Sequence, residues 1–131
     1  MLTPEEIAAV AAKALESKKA KDIMVLKTAE QTVIADYFVI CHGSSAPHLK
    51  ALVDEVDKAL SEAGEPPVRR EGLRSDIWVL MDFGSVIVHV FTDEARKFYN
   101  LERLWSDSQV IDPATLPLPE TEAKVVDLSS L

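Results

Sequence analysis

Apolar residues recur at helical spacing near the start of the chain, where Ile7, Val10, Ala11, Ala14 and Leu15 fall on one stripe. Thr3-Pro4-Glu5-Glu6, just upstream, supplies a cap residue, a proline suited to the first helical turn and the glutamate of a capping box. A first helix is therefore predicted. Lys18, Lys19 and Lys21 read as its solvated end, where cations suit the helix dipole, rather than as a nucleic-acid patch. The period then changes. Residues 22–26 form a short aliphatic strand pattern. Residues 33–41 are β-branched and aromatic, apolar on both faces except at Asp36, as in a strand covered on both sides. Gly43-Ser44-Ser45 interrupts this run. A second helix is predicted from about Pro47 to Ala63, with Leu49, Leu52, Val53, Val56 and Leu60 inward, Asp54, Glu55 and Asp57 outward, and Gly64 as its stop. Pro66-Pro67-Val68-Arg69-Arg70 reads as an edge strand, because proline cannot donate to a sheet ladder.

The strongest local signal is a hairpin. Residues 77–81 and 86–91 flank Asp82-Phe83-Gly84-Ser85. With Phe83-Gly84 as the two turn residues, Met81 faces Val86, Val79 faces Val88 and Ile77 faces Val90, which makes one aliphatic core face. The other face sets Trp78 opposite His89, Leu80 opposite Ile87 and Asp76 near Phe91, a mixture typical of protein interfaces. A last helix is predicted from about Thr92 to Trp105, with apolar contacts from Ala95, Phe98, Tyr99, Leu101, Leu104 and Trp105. Beyond it come Pro113, Pro117 and Pro119, mostly acidic charge and no aromatic residue, which predicts a flexible tail over 107–131. The element order α-β-β-α-β-β-β-α predicts one α/β domain over 1–106, a mixed β-sheet with flanking helices.

Composition narrows the partner. The chain has 131 residues, 47% hydrophobic and 27% charged, as a soluble globular domain has. Its net charge of −8 argues against binding held by nucleic-acid phosphates, DNA included, and suits docking on a basic protein surface. The single cysteine, Cys41, excludes an intramolecular disulfide and a Cys-rich zinc site. No apolar run approaches the ~20 residues of a membrane span, and no basic-then-apolar leader opens the chain, so a cytoplasmic location is expected.

Candidate chemistry is sparse. No HExxH, CxxC, Walker or GxGxxG motif is present. Gly43-Ser44-Ser45 between a strand and a helix could face an anion, but no lysine adjoins it. The same Gly-Ser resembles that of nucleotidyltransferases, which need paired strand-edge carboxylates for divalent metals. Here Asp54 and Asp57 fall on a helix and read as its wet face. His42 and His48 could approach a metal but lack a third ligand, and Cys41 ends a buried strand as a packed thiol. No catalytic residue, cofactor or metal is expected. Trp78 and Trp105 are each readable as core, the usual fate of tryptophan. For Trp78 the hairpin register opposes this, since the other side of its strand already fills the core.

Asp36-Tyr37-Phe38-Val39-Ile40, Gly43-Ser44-Ser45, Glu71-Gly72, Trp78-Val79-Leu80-Met81-Asp82-Phe83-Gly84, Val88-His89-Val90-Phe91, Glu94-Ala95-Arg96 and Tyr99-Asn100-Leu101-Glu102-Arg103-Leu104-Trp105 stand in this order. Together they resemble the ribosomal silencing factor, or Iojap-like, family over about residues 3–106. The resemblance implies a fold similar to nucleotidyltransferases without their active site. It implies a non-enzymatic translational repressor that binds the large ribosomal subunit through ribosomal protein uL14 and blocks subunit association. A homodimer is implied as well. The residues it points to for partner binding are Trp78, Leu80, Asp82, Phe83, His89, Phe91, Tyr99, Asn100, Leu101 and Trp105. Ala46-Pro47-His48 and Thr92-Asp93 depart from the family's usual helix starts, and the tail lies outside its pattern. The alternative reading is a nucleotidyltransferase-like nucleotide-binding or transferase protein.

Overall fold

A computed structural model of the chain describes residues 2–28, 35–74, 76–100 and 109–119. The capping box forms as the sequence predicts: the Glu6 N–H donates to Thr3 Oγ1 and the Thr3 N–H to Glu6 Oε1, opening helix α1 at Pro4–Ser17. Strand β1 is Lys21–Lys27 and β2 is Tyr37–Gly43. Ser45 caps helix α2, Ala46–Glu62, by accepting from the His48 N–H. Three strands follow, β3 at Arg69–Arg74, β4 at Trp78–Asp82 and β5 at Val86–Thr92, then the short helix α3 at Asp93–Tyr99. A further strand, β6, spans Gln109–Ile111, and one 3₁₀ turn follows at Pro113–Thr115.

Among the described residues the six strands form one sheet in the order β3-β4-β5-β2-β1-β6. Only β2 and β5 run parallel and the other neighbours are antiparallel, so the sheet is mixed as expected. Strand alternation sorts the core into two clusters. One face gives Val25, Tyr37, Val39, Cys41, Val79, Met81, Val86, Val88 and Val90 to α1 and α2. The other gathers Leu26, Phe38, Ile40, Ile87 and Phe91 with Ala95 and Tyr99 of α3, and Met24, Ile77, Trp78 and Leu80 at its margin.

Four expectations are corrected. The hairpin pairs Trp78 with Phe91 and Leu80 with His89, two residues away from the predicted register. The two turn residues are Gly84-Ser85: the Phe83 N–H donates to the Val86 carbonyl, and Gly84 takes the positive φ of 84° that the tight turn needs. A slip of two leaves each strand residue on its predicted face. Ile77, just before β4, changes side and packs with the second cluster. The edge strand starts at Arg69 rather than among the prolines. Helix α3 ends at Tyr99, where Asn100 adopts a left-handed conformation (φ 45°) and donates its N–H to the Arg96 carbonyl.

The tail is the fourth correction. Residues 109–111 pair with β1, setting Val25 against Ile111 and Lys27 against Gln109, and Ile111 and Leu116 pack on the α1 side of the core. Few apolar side chains suffice here because β1 offers an open ladder of backbone donors and acceptors. Deleting residues 107–131 is therefore expected to lower the melting temperature, on the order of 5–10 °C for two half-buried aliphatic anchors and a lost ladder. An unchanged thermal transition would show that β6 contributes nothing.

Candidate functional site

The second face of the sheet carries the residues singled out by the hairpin. Trp78 opens β4, stacks on Phe91 (centroids 5.0 Å apart, planes at 28°) and meets Tyr99 of α3 at a tilt (4.7 Å, 42°). Phe98 meets Tyr99 edge-on at 5.0 Å. The four rings form a ladder that runs from the fully buried Phe91 through half-buried Trp78 and Tyr99 to Phe98, which is 81% exposed. Leu80 is half-buried beside them, and Asn100 is exposed at the end of α3. At the rim, Arg69 pairs with Glu71 (3.4 Å) and Asp82 (3.6 Å), and Asp82 Oδ1 accepts the Gly84 N–H that steadies the turn.

Three predicted contact residues face inward instead. Phe83 is buried with the α1–α2 cluster, since it ends the aliphatic side of the hairpin. Phe91 is fully buried at the base of the ladder. His89 is 5% exposed, wedged between Phe38 and Phe91. Its Nδ1 accepts the Trp78 Nε1–H at 3.1 Å. Leu101 and Trp105 lie outside the described residues. Phe98, which periodicity counted among the packing residues of a longer helix, is the solvent-facing aromatic that sequence reasoning missed. Asn100 was the available signal, as a left-handed stop that ends the helix within one residue of it.

The acid–base groups are engaged structurally. Burial pushes the Cys41 thiol up to about 12, so it stays protonated at neutral pH. His48 does not turn towards a metal: Nδ1 accepts the Ser44 N–H (2.9 Å) and Nε2 donates to the Lys18 carbonyl (2.7 Å). That bond also takes a backbone donor an anion would need at Gly43-Ser44-Ser45. A Cβ on Gly43 would sit 3.0 Å from His48 Nδ1, so any larger residue there would press on the imidazole. Asp54 and Asp57 are gripped by one guanidinium, Arg70 Nη2 to Asp54 (2.8 Å) and Nη1 to Asp57 (3.1 Å), which ties edge strand β3 to α2. Their spacing serves that fork, and the Arg70 bond holds the Asp54 carboxyl below its ordinary range. Among the described residues no group of three His, Cys, Asp or Glu side chains is placed to hold a metal, and no helix is long and apolar enough to cross a membrane.

Burial lowers His89 to about 4. The unfolded chain takes up this proton near pH 6.5, so between the two values it binds more protons than the folded protein. The stability tied to His89 is complete above pH 6.5, falls with pH through that window and levels off below about 4. The loss is about 3 kcal/mol at most. Denaturation curves at pH 7.5 and 4.5 check it: His89→Leu should lose less stability on acidification than the parent, and equal losses would contradict the assignment.

Comparison with known proteins gives this arrangement its context. A family model described as ribosomal silencing factor during starvation matches residues 2–128, which places most of 107–131 inside the family pattern rather than outside it. A ribosomal silencing factor of Halalkalibacterium halodurans is 38% identical over 111 residues, 85% of this chain and 95% of that protein. A Mus musculus protein named for mitochondrial assembly of the ribosomal large subunit is 37% identical over 113 residues, 81% of this chain and 50% of its own length. A crystal structure from Chromobacterium violaceum superposes with a TM-score of 0.77 at 39% identity, covering 80% of this chain and 88% of that one. With that match along nearly its whole length, the chain belongs to the ribosomal silencing factor family.

Proposed function

We propose that this protein represses translation in the cytoplasm by docking on the large ribosomal subunit, through ribosomal protein uL14, and sterically blocking association with the small subunit. The observation that carries the reading is the aromatic ladder from Phe91 to exposed Phe98, at one end of the sheet face that α1 and α2 leave uncovered. Half-buried rings, Trp78 on the sheet and Tyr99 on α3 packed against it, lose little freedom on binding, as interface anchors require. In this reading Trp78, Leu80, Tyr99 and Asn100 make the contact and Asp82 lies at its rim. Phe98 joins them, Leu101 and Trp105 are carried over from the family pattern, and Phe83, His89 and Phe91 support the face from behind. The net charge of −8 favours encounter with a basic ribosomal protein, screened beyond ~8 Å at physiological salt. The mouse relative's name, which refers to the large subunit, points to the same partner class. Nothing in this mechanism needs bond chemistry: the protein acts by occupying a surface.

Co-sedimentation with purified large subunits, followed by addition of small subunits, tests the reading. Binding to large subunits and fewer joined ribosomes are expected, both lost when the uL14 face is altered. Binding that survives such alteration would overturn uL14 as the partner, and undiminished joining would overturn the steric block. A homodimer, the other partner the resemblance implies, is read from the molar mass by light scattering.

A further inference from the structure

We propose that His89 is a positioning residue for docking: its hydrogen bond holds the Trp78 indole in the orientation in which it meets the partner. This rests on the docking-face reading above. Indole Nε1–H is a lone donor and takes a partner when a tryptophan is partly buried. Here that partner is a side chain on the neighbouring strand, set diagonally, because Trp78 pairs with Phe91 and Leu80 with His89. Ring contacts with Phe91 and Tyr99 define the plane of the indole but leave it able to slide. A directional bond of 3.1 Å to one edge removes that freedom.

His89 is a suitable fixed point. The Phe91 ring lies nearly parallel to it, with planes 13° apart and centroids 6.1 Å apart, and the Phe38 ring sits at 5.4 Å. Ile40 and Leu80 are its register neighbours on the flanking strands. To accept from Trp78, Nδ1 must carry no proton, which puts the single imidazole proton on Nε2. The depressed basicity of this buried ring keeps it in that acceptor state at neutral pH. An anchor already held in its bound rotamer avoids the ordering cost that a free side chain meets on association, an effect of about fivefold in affinity.

The test begins with the unaltered protein. At pH 7 the ¹⁵N shifts of His89 should show a bare Nδ1 and a protonated Nε2, and the Trp78 indole N–H, identified by its disappearance in Trp78→Phe, should exchange slowly with solvent. A protonated Nδ1 would overturn the proposal. In His89→Leu the indole N–H should exchange faster, with large-subunit binding about fivefold weaker in a folded protein. His89→Asn, whose Oδ1 lies near the place of Nδ1, should recover both. Trp78→Ala is measured alongside. If it binds normally, the docking-face reading fails. If it loses binding while His89→Leu binds like the parent, only the positioning role fails. Should His89→Leu not fold, a folded His89→Asn that binds as poorly as Trp78→Ala overturns the proposal.

Discussion

Trp78→Ala is expected to fold and to lose most of its large-subunit binding. Trp78 is half-buried, so truncation removes only part of a core residue's packing, its contacts to Phe91 and Tyr99, and leaves His89 Nδ1 without its donor. A stability loss of about 1–2 kcal/mol follows, below the 3–5 kcal/mol of a fully buried tryptophan. Binding should fall by on the order of 2 kcal/mol, roughly thirtyfold, as for central aromatic anchors. The control is Phe91→Ala, at the buried base of the ladder, which should lose far more stability than Trp78→Ala. The two measurements are a denaturation curve and co-sedimentation on the same preparations. A Trp78→Ala protein that unfolds would make the residue core, and a stable one that binds normally would move the docking face elsewhere.

Much of this arrangement is legible in the residues alone. The helical stripes of α1 and α2 and the alternation of the hairpin are periodic signals, and each survives a small error of register. The predicted turn was wrong by one residue and the pairing by two, yet Trp78 stayed on the face opposite Val79 and Met81. What the residues could not show was depth. His89 and Trp78 share a face, but one lies under Phe38 and Phe91 while the other sits at the margin, and alternation is silent on that difference. Strand β6 escaped notice because its pairing depends on β1 having a free edge, a property of the assembled sheet. The Arg70 fork to Asp54 and Asp57 joins elements 13 and 16 residues apart, beyond the reach of helical spacing rules. Helix α3 looked longer because apolar residues continue past Tyr99, and local chemistry at Asn100 overrode that pattern.

Arg96→Met should be among the most destabilising single changes in the described residues, about 3 kcal/mol, although arginine on a short helix ordinarily reads as surface. The guanidinium is buried, and the two N–H groups of its Nη1 are shared among the carbonyls of Lys21 (3.3 Å) and Asp22 (2.6 Å) and His42 Nδ1 (3.1 Å). Those carbonyls are presented by an irregularity in β1, where the pairing with β2 shifts between Lys21 and Met24 and Asp22 takes a φ of 47°. Methionine keeps most of the apolar stem of arginine but leaves the acceptors without this donor. Lysine, a point donor without the planar fork, should recover only part of the loss. His42 supplies an independent readout. Burial and then the Arg96 charge lower its pKa, while Asp93, at 3.5 Å from Nε2, raises it. With Arg96 gone the His42 titration should move up, and the acid destabilisation that this histidine causes below about pH 6.5 should shrink. Because α3 carries Phe98 and Tyr99, large-subunit binding should weaken together with stability. A variant within about 0.5 kcal/mol of the parent, with His42 titrating as before, would show that α3 is held by its apolar contacts alone.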